Sequence, residues 1–269
     1  MPSPRLRDRA VEHARDVPFP RLPSPEITLL AFVLGTILAI SPVGAHLDRV
    51  FEVKLVTPGD GDLFVLLHQT VDRLSSQRVS GLTLLLVATW FAWRRRELAP
   101  LVIAGLAEIG FGLTGVVKIL LGKSATALGS PDWWHGGLLA EGKFSMAYPS
   151  GHATQAILMW GTTLLLLVLY APGWRTRHTH VAVTIWHAIV VATLVTSWAM
   201  HRHWVSDLVA GVVFGLLCLK LVVGLVERGV PQAAAEMVEE TFTGRGRPPG
   251  RPSGPDASRP PGEPRPHQA

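Results

Sequence analysis

Long apolar segments separated by short polar links dominate the pattern of this chain. A helix that crosses the hydrocarbon core of a bilayer, which is about 30 Å thick, needs about 20 mostly apolar residues. Six segments come near this length: 27–47, 79–93, 99–121, 152–170, 181–200 and 204–226. The second is the shortest, so its ends are the least sharply defined. The pattern therefore predicts an all-α polytopic membrane protein built as a bundle of six transmembrane helices.

Composition supports this prediction. Of the 269 residues, 48% are hydrophobic and 17% are charged, which leaves too little polar surface to cover a soluble globule. The chain has a single cysteine, Cys218, which falls within the sixth segment. A lone cysteine excludes an internal disulfide and a cysteine-based metal cluster, so we interpret it as a packing residue.

Arginine placement predicts the orientation of the helices, because short loops rich in Lys and Arg stay on the cytoplasmic side. Arginines collect in four regions: 5–21, 94–96, 175–177 and 228–265. Six spans place all four regions on one side, so we expect a multi-pass plasma-membrane protein with both termini in the cytoplasm. The expected boundaries are a cytoplasmic N-terminal segment at 1–26, a membrane domain at 27–226 and a cytoplasmic tail at 227–269, disordered from about 243.

The first apolar segment has a second interpretation. Val43-Gly44-Ala45 carries the small residues of a signal-peptide cleavage site. However, 26 residues precede the segment, and its length suits a true span. We therefore expect the first helix to be retained.

Two polar motifs stand at the start of apolar segments, both on the predicted extracytoplasmic side. The second of them contains His203 and, four residues later, Asp207, which share one face of a helix. A carboxylate on one ring nitrogen fixes the tautomer and makes the other nitrogen a better nucleophile or base. For this pair alone, an interfacial histidine beside a helix-capping aspartate is the alternative.

The first motif is Pro149-Ser150-Gly151-His152, directly before the fourth segment. Ser150 can cap the helix, and the unpaired N–H groups of the first turn attract an anion, phosphate above all. His152, at the same terminus, can give a proton to a leaving oxygen. An ordinary turn into a helix is the alternative for this motif.

Charged residues also occur in the third apolar segment. Lys118 lies near its outer end, where a buried ammonium needs an anionic partner, and Lys123 adds a second cation at the same level. Snorkelling of these lysines to the interface is the alternative. Glu108 falls near the middle of the membrane, and we expect it to form a structural hydrogen bond rather than to belong to the site.

Together these residues resemble the type 2 phosphatidic acid phosphatase family. The family's second motif, Pro-Ser-Gly-His, is complete at 149–152, and His203 and Asp207 match the last two positions of its third motif, Ser-Arg-x5-His-x3-Asp. The Ser-Arg positions of that motif are Thr196-Ser197 here. In the first motif, Lys-x6-Arg-Pro, Lys118 is followed by Ala125-Thr126. Both motif arginines are therefore missing.

The resemblance implies a six-helix membrane enzyme that removes phosphate from a lipid phosphate, with no metal, no cofactor and no nucleic-acid partner. It implies that His203 attacks phosphorus to form a phosphohistidine, that Asp207 orients His203, and that His152 protonates the leaving oxygen. Residues implied to hold the phosphate oxygens are Lys118, Ser150 and Gly151. The expected substrate is a polyprenyl diphosphate of the bacterial cell envelope, with a phosphatidic acid-type lipid second. The oligomeric state is not predicted.

The missing arginines open two alternatives. Arginine grips phosphate in a bidentate, permanently charged fork that lysine does not reproduce. Cations that compensate for this loss are expected among Lys123, Lys143, Arg202 and His135. A non-catalytic member of the same fold, which binds a lipid phosphate or a partner protein, is the first alternative. A vanadate-dependent haloperoxidase, a class similar at the same motifs, is the second.

Overall fold

The computed structural model describes residues 22–134, 146–171, 174 and 176–243. Regular structure in these ranges is helical. The α-helices are α1 (Pro25–Ile40), α2 (Pro42–Val50), α3 (Asp62–Leu67), α4 (Leu82–Arg95), α5 (Ala99–Leu121), α6 (Gly151–Tyr170), α7 (Thr176–Ala199), α8 (Val205–Glu227) and α9 (Val230–Thr243). The predictions for most of the N-terminal segment, for the disordered tail, and for His135 and Lys143 lie outside the described residues.

The first predicted span is not one continuous helix, which corrects the prediction for 27–47. It consists of α1 and α2, which meet at an angle of 82°. Pro42 has no N–H to donate and disfavours a helical conformation at the residue before it. Ser41 is accordingly extended, with ψ 160°, and its side chain accepts a hydrogen bond from Gly44 N to cap α2.

The second predicted span is short. Helix α4 has 14 residues, which corresponds to a length of about 21 Å at 1.5 Å per residue. A single π-helical turn, Gln77–Gly81, precedes it directly. A second π-helical turn, His68–Asp72, extends α3 and was not predicted as helical. Both turns lie between the bent α1–α2 pair and the longer helices.

The other four predicted spans are confirmed as helices α5, α6, α7 and α8. In the described part of the chain, these four helices are long and apolar enough to cross a membrane, and the bent α1–α2 pair raises the number to five. The protein is therefore an all-α polytopic membrane protein, while the number of six spans stays a prediction.

Helix α6 forms the centre of the bundle. Of the most apolar 18-residue stretch of α6, 83% is buried, against 28% of the corresponding stretch in α5 and in α7 and 50% in α8. It packs most extensively on α8, and also on α7, α5 and α4. Glycines allow the close approach of α6 and α8: a Cβ at Gly211 would lie 2.6 Å from the Ser150 carbonyl oxygen. This packing brings the starts of the two helices, and hence the two polar motifs, together.

A further helix, α9, follows α8. It begins after a left-handed turn at Gly229 (φ 73°) and packs against α5 and α8. Residues 230–243 are thus helical and lie before the point, at about 243, from which disorder is predicted.

Candidate active site

His152 and His203 face each other across a small gap. Their ring centroids are 6.4 Å apart, and the ring planes are inclined at 61°. One small anionic group can therefore contact an edge of each ring, since the rings approach each other to within a few ångströms beyond van der Waals range.

Backbone contacts fix the two motifs relative to each other. Ser150 caps α6, because its side chain accepts a hydrogen bond from Ala153 N at 3.4 Å. Its own N–H donates to the carbonyl oxygen of Asp207 at 2.9 Å. The N-terminus of α6, with the Gly151 N–H in its first turn, is thus bound to the first turn of α8.

Asp207 holds His203 from the buried side. The distance from His203 Nδ1 to Asp207 Oδ2 is 3.4 Å, and Trp204 N donates to the same oxygen at 3.1 Å. The carboxylate is fully buried. Because Nδ1 faces Asp207, the other ring nitrogen, Nε2, is the one left for chemistry, as the sequence spacing predicts.

Lys123 lies behind Asp207 rather than in the gap. Its ammonium donates to Asp48 Oδ2 at 2.7 Å, to Ser206 Oγ at 2.6 Å and to Asp207 Oδ1 at 2.8 Å. The side chain is fully buried. An ammonium has three hydrogens, and these contacts use all of them. We therefore assign Lys123 to a buried ion-pair network and not to phosphate binding.

Asp48, at the end of α2, is a member of this network that the sequence did not reveal. Its Oδ1 accepts from Ser206 N at 3.0 Å, and its Oδ2 accepts from the Ser206 hydroxyl at 2.8 Å. An aspartate just beyond an apolar segment is ordinary at a membrane interface. The bend between α1 and α2 directs this carboxylate inward, so the sequence carries no separate signal for it.

Lys118 lies next to the start of α6. Its ammonium donates to the carbonyl oxygens of Met146 at 2.6 Å and Ala147 at 3.2 Å. A Cβ at Gly151 would lie 3.9 Å from Lys118 Cε, so the side chain passes against this glycine. The two carbonyls use two hydrogens of the ammonium, which leaves one for a ligand at the helix terminus.

On the other side of His152 lies Asp72, a carboxylate that the sequence did not single out. Its Oδ1 is 3.5 Å from His152 Nε2, and its Oδ2 is 3.0 Å from Arg202 Nη1. His68 Nδ1 is 2.9 Å from the same Oδ2 and 2.8 Å from Arg202 Nη2. Since one ring nitrogen cannot donate and accept at once, the tautomer of His68 decides which of its two contacts is a hydrogen bond.

The backbone of Arg202 lies close to Ser197, which occupies the position of one missing motif arginine. His201 is left-handed (φ 53°), and the N–H groups of His201 and Arg202 donate to Trp198 O and Ser197 O, both at 2.9 Å. This pattern is a Schellman turn at the end of α7. It places the backbone of Arg202 beside Ser197, the position of the third-motif arginine.

His203 is poised in its neutral form. Burial lowers the pKa of His203, although Asp207 acts in the opposite direction. The positive charges of Lys118 and Lys123 also lower this pKa. Asp207 is itself paired with Lys123, through its other oxygen at 2.8 Å. A neutral imidazole is the form that a nucleophile requires.

Glu108 forms the structural hydrogen bond expected of it. Its Oε2 accepts from Gln77 Nε2 at 2.6 Å. Gln77 in turn contacts Gln155, one turn after His152, at 2.5 Å. This polar network joins α5 and α6 to the π-helical turn that precedes α4.

Within the described residues, no group of three or more His, Cys, Asp or Glu side chains is arranged to hold a metal ion. The polar atoms around the gap are instead imidazole, ammonium and guanidinium nitrogens with carboxylate partners. This set suits the binding and transfer of an anionic group.

Comparison with known proteins matches the part of the chain that carries most of these residues. A family model described as the PAP2 superfamily matches residues 101–230, which contain Lys118, His152 and His203. The match confirms the resemblance predicted from the motifs.

The fold is similar to a crystal structure titled as the first transmembrane PAP2 type phosphatidylglycerolphosphate phosphatase from Bacillus subtilis. The TM-score is 0.60 at 18% identity, over 76% of this chain and 96% of that one. At this identity the likeness concerns the fold. A comparison with curated proteins found no match.

Proposed function

We propose that this chain is an integral membrane phosphatase that acts on a lipid phosphate or diphosphate, because residues 101–230 match the PAP2 superfamily model. The observation that carries the proposal is the pair of facing imidazoles, His152 and His203, 6.4 Å apart between ring centroids. The resemblance of the fold to a membrane phosphatase supports it.

In the first step, His203 Nε2 attacks phosphorus, and a P–N bond forms while the P–O bond to the lipid breaks. His152 gives its proton to the departing oxygen, so the lipid leaves as an alcohol or as a phosphate. Asp207 holds Nδ1 of His203 and stabilises the positive charge that develops on the ring. The product of this step is a phosphohistidine.

In the second step, water attacks the phosphohistidine. His152, now neutral, takes a proton from the water, as microscopic reversibility requires. The P–N bond breaks, inorganic phosphate leaves, and His203 returns to its neutral form. Both steps use the same two imidazoles: His152 acts as acid and then as base, and His203 acts as nucleophile and then as leaving group.

Four groups are proposed to hold the phosphate oxygens. They are the ammonium of Lys118, the hydroxyl of Ser150, the N–H of Gly151 and the guanidinium of Arg202. Lys118 and Gly151 adjoin each other at the N-terminus of α6, where anions are favoured. Arg202 supplies a permanent positive charge near the place of a missing motif arginine.

The proposed substrate is a lipid whose tail remains in the bilayer while its head group enters the gap from the extracytoplasmic side. A polyprenyl diphosphate of the bacterial cell envelope is the first candidate. A phosphatidic acid-type lipid is the second, and the function named for the Bacillus subtilis protein of similar fold adds support for a glycerolipid phosphate.

Phosphate release from both lipid classes by detergent-purified protein tests the proposal. We expect release by the parent, a loss of about 10²–10⁴-fold in His152→Ala, and background release in His203→Ala. The matched control is His180→Ala, which removes an exposed imidazole near the N-terminal end of α7, away from the gap. If His203→Ala releases as much phosphate as the parent, His203 is not the nucleophile.

A non-catalytic lipid-phosphate-binding protein is the second candidate, because both motif arginines are replaced, by Ala125 and Ser197. Fold does not guarantee function, and the loss of such clamps weakens phosphoryl transfer. This candidate predicts saturable binding of the lipid phosphate without turnover. Turnover that depends on both histidines excludes it.

A further inference from the structure

Two carboxylates flank the gap, Asp207 behind His203 and Asp72 behind His152. The two steps proposed above use Asp207 but not Asp72. We propose that Asp72 is a positioning residue for His152 and Arg202, so that the site contains two acid–imidazole pairs. This inference rests on the proposed phosphatase function. It assigns Asp72 to the proton-donating side, as Asp207 is assigned to the nucleophilic side.

The first argument is an unused oxygen. Asp72 is 5% exposed, and its Oδ1 is buried without a hydrogen bond among the described residues. A buried acceptor without a donor is costly, so a partner is expected. His152 Nε2 lies 3.5 Å from this oxygen. Catalytic hydrogen bonds are often long before substrate binds and shorten in the complex.

The second argument concerns charge. Arg202 Nη1 lies 3.0 Å from the other oxygen, Oδ2, and a guanidinium stays charged at all accessible pH values. The guanidinium therefore forms a close ion pair with the Asp72 carboxylate. An ionised carboxylate accepts hydrogen bonds and donates none, so the Nε2–H of His152 must be the donor.

A fixed tautomer follows from this contact. With Nε2–H held by Asp72, the proton that His152 exchanges with the lipid oxygen or with water is carried on Nδ1. In the first step the imidazolium gives up its Nδ1 proton, and Asp72 still holds the neutral ring through Nε2. In the second step the proton taken from water returns to Nδ1.

The same carboxylate orients Arg202. Oδ2 and His68 Nδ1 both contact the guanidinium, at 3.0 and 2.8 Å, and these contacts limit its rotation. A guanidinium has five N–H donors, more than these two contacts use, so Arg202 has the capacity to bind a phosphate oxygen as well. Asp72 thus connects the proton donor to the cation that we propose as a substitute for a missing arginine.

The test compares two leaving groups in Asp72→Asn. An alkyl phosphate, as in the phosphatidic acid-type candidate, leaves as an alkoxide and needs a proton, whereas a nitrophenyl phosphate leaves as a stable anion and does not. We measure kcat/KM, which covers formation of the phosphoenzyme. We expect a loss of about 10²-fold with the alkyl substrate and a several-fold smaller loss with the nitrophenyl substrate.

Three variants complete the experiment. His152→Ala should show the same preferential loss with the alkyl substrate, His203→Ala should lose both substrates, and Asp72→Glu should recover part of the alkyl rate. The matched control is Asp62→Asn, an exposed aspartate of the neighbouring α3, which should behave like the parent. Size-exclusion profiles in detergent check that each variant is folded.

An equal loss with both substrates in Asp72→Asn, or no loss, would overturn the proposal, because a merely structural residue does not distinguish leaving groups. If Asp72→Asn does not fold, the comparison of Asp72→Glu with the parent decides by the same ratio. Failure of the parent to turn over either substrate would overturn the proposed function itself, and with it the role of Asp72.

Discussion

Asp207 contacts a histidine with one carboxylate oxygen and a lysine with the other, so it links the nucleophilic imidazole to a buried ion-pair network. One oxygen faces His203, while Lys123 takes the other at 2.8 Å. Lys123 also forms an ion pair with Asp48, so one ammonium is shared by two buried carboxylates. The network holds the end of α2 against the start of α8, and it therefore has a structural role as well as an electrostatic one.

Removal of Lys123 should destabilise the fold. Lys123→Met leaves Asp48 and Asp207 buried without their common cation, and breaking a buried pair costs about 3–5 kcal/mol. We expect a reduction of this order in the free energy of unfolding, measured by denaturant titration in detergent. The matched control is Lys54→Met, since Lys54 is 61% exposed and should change the stability by less than about 1 kcal/mol. Parent-like stability of Lys123→Met would contradict the network.

The lowered pKa of His203 predicts the acid limb of the activity profile. A nucleophilic imidazole must be neutral, and His203 remains neutral below the ordinary histidine pKa of about 6.5. The titratable groups around it are Asp207, Lys118 and Lys123, and His152 lies across the gap. We expect kcat/KM to stay constant as the pH is lowered to about 6.5, the ordinary histidine pKa, and to fall only below that pH. An acid limb at or above the ordinary value would contradict a depressed pKa.

The free energy of unfolding should also decrease as the pH falls, for the same reason. As pH falls through the ordinary value, the unfolded chain protonates its histidine before the folded chain does. The contribution of His203 to stability is therefore present above the unfolded-state pKa and is lost as pH falls through the folded-state pKa. The slope of unfolding free energy against pH in this window should decrease in His203→Ala, which provides a check independent of activity.

The sequence predicts one half of the site better than the other. His203 and Asp207 are four residues apart on one helix, and such spacing is readable without a structure. Asp72 lies 80 residues before His152 in the chain, outside the predicted apolar segments, and approaches it through tertiary packing. The destination of Lys123 was also hidden, because a lysine near a helix end gives no sign of whether it faces a ligand or a buried carboxylate.

At the scale of elements, helix positions follow directly from hydrophobic runs, while bends do not. The predicted bounds of α5, 99–121, agree with Ala99–Leu121, because an uninterrupted apolar run has a single favourable form in a membrane. The run at 27–47 hides a break, since Pro42 is apolar in count but cannot continue a helix. The local signal was the Ser41-Pro42 pair, a cap followed by a proline at the first helical position.

The contact between α6 and α8 depends on glycine. A Cβ at Gly211 would lie 2.6 Å from Ser150 O and 2.8 Å from Ala153 Cβ, and neither the backbone nor a short side chain can move away cheaply. We expect Gly211→Ala to lower stability by about 1–3 kcal/mol and to reduce kcat/KM, because α8 carries His203 and Asp207 at its start. Thermal unfolding and phosphate release measure the two effects.

Helix α8 offers its own control for this prediction. Gly224 lies in the same helix, and a Cβ there would meet nothing within 4 Å. Gly224→Ala should therefore retain parent activity and, because alanine favours helix, gain up to about 1 kcal/mol. Equal behaviour of the two alanine variants would show that close approach at Gly211 does not position the site.

At the scale of the whole molecule, the hydrophobic pattern predicts the fold class but not the number of spans. Composition and run length identify a helical membrane protein, because the bilayer requires every buried backbone group to be paired internally. Helix α4, with 14 residues, is shorter than a typical span. Its role depends on the π-helical turn before it, which adds five residues and has no recognisable sequence signal.

The orientation of the molecule is a prediction that labelling can decide. Arg73 follows Asp72 near the proposed site, and Arg94 lies at the opposite end of α4; both are exposed. The native Cys218 is 4% exposed, so it should give little background labelling. If the site faces outward, a membrane-impermeant maleimide should label Arg73→Cys in intact cells and Arg94→Cys after permeabilisation. The reverse pattern would place the gap on the cytoplasmic side, where an extracytoplasmic lipid head group cannot reach His152 and His203.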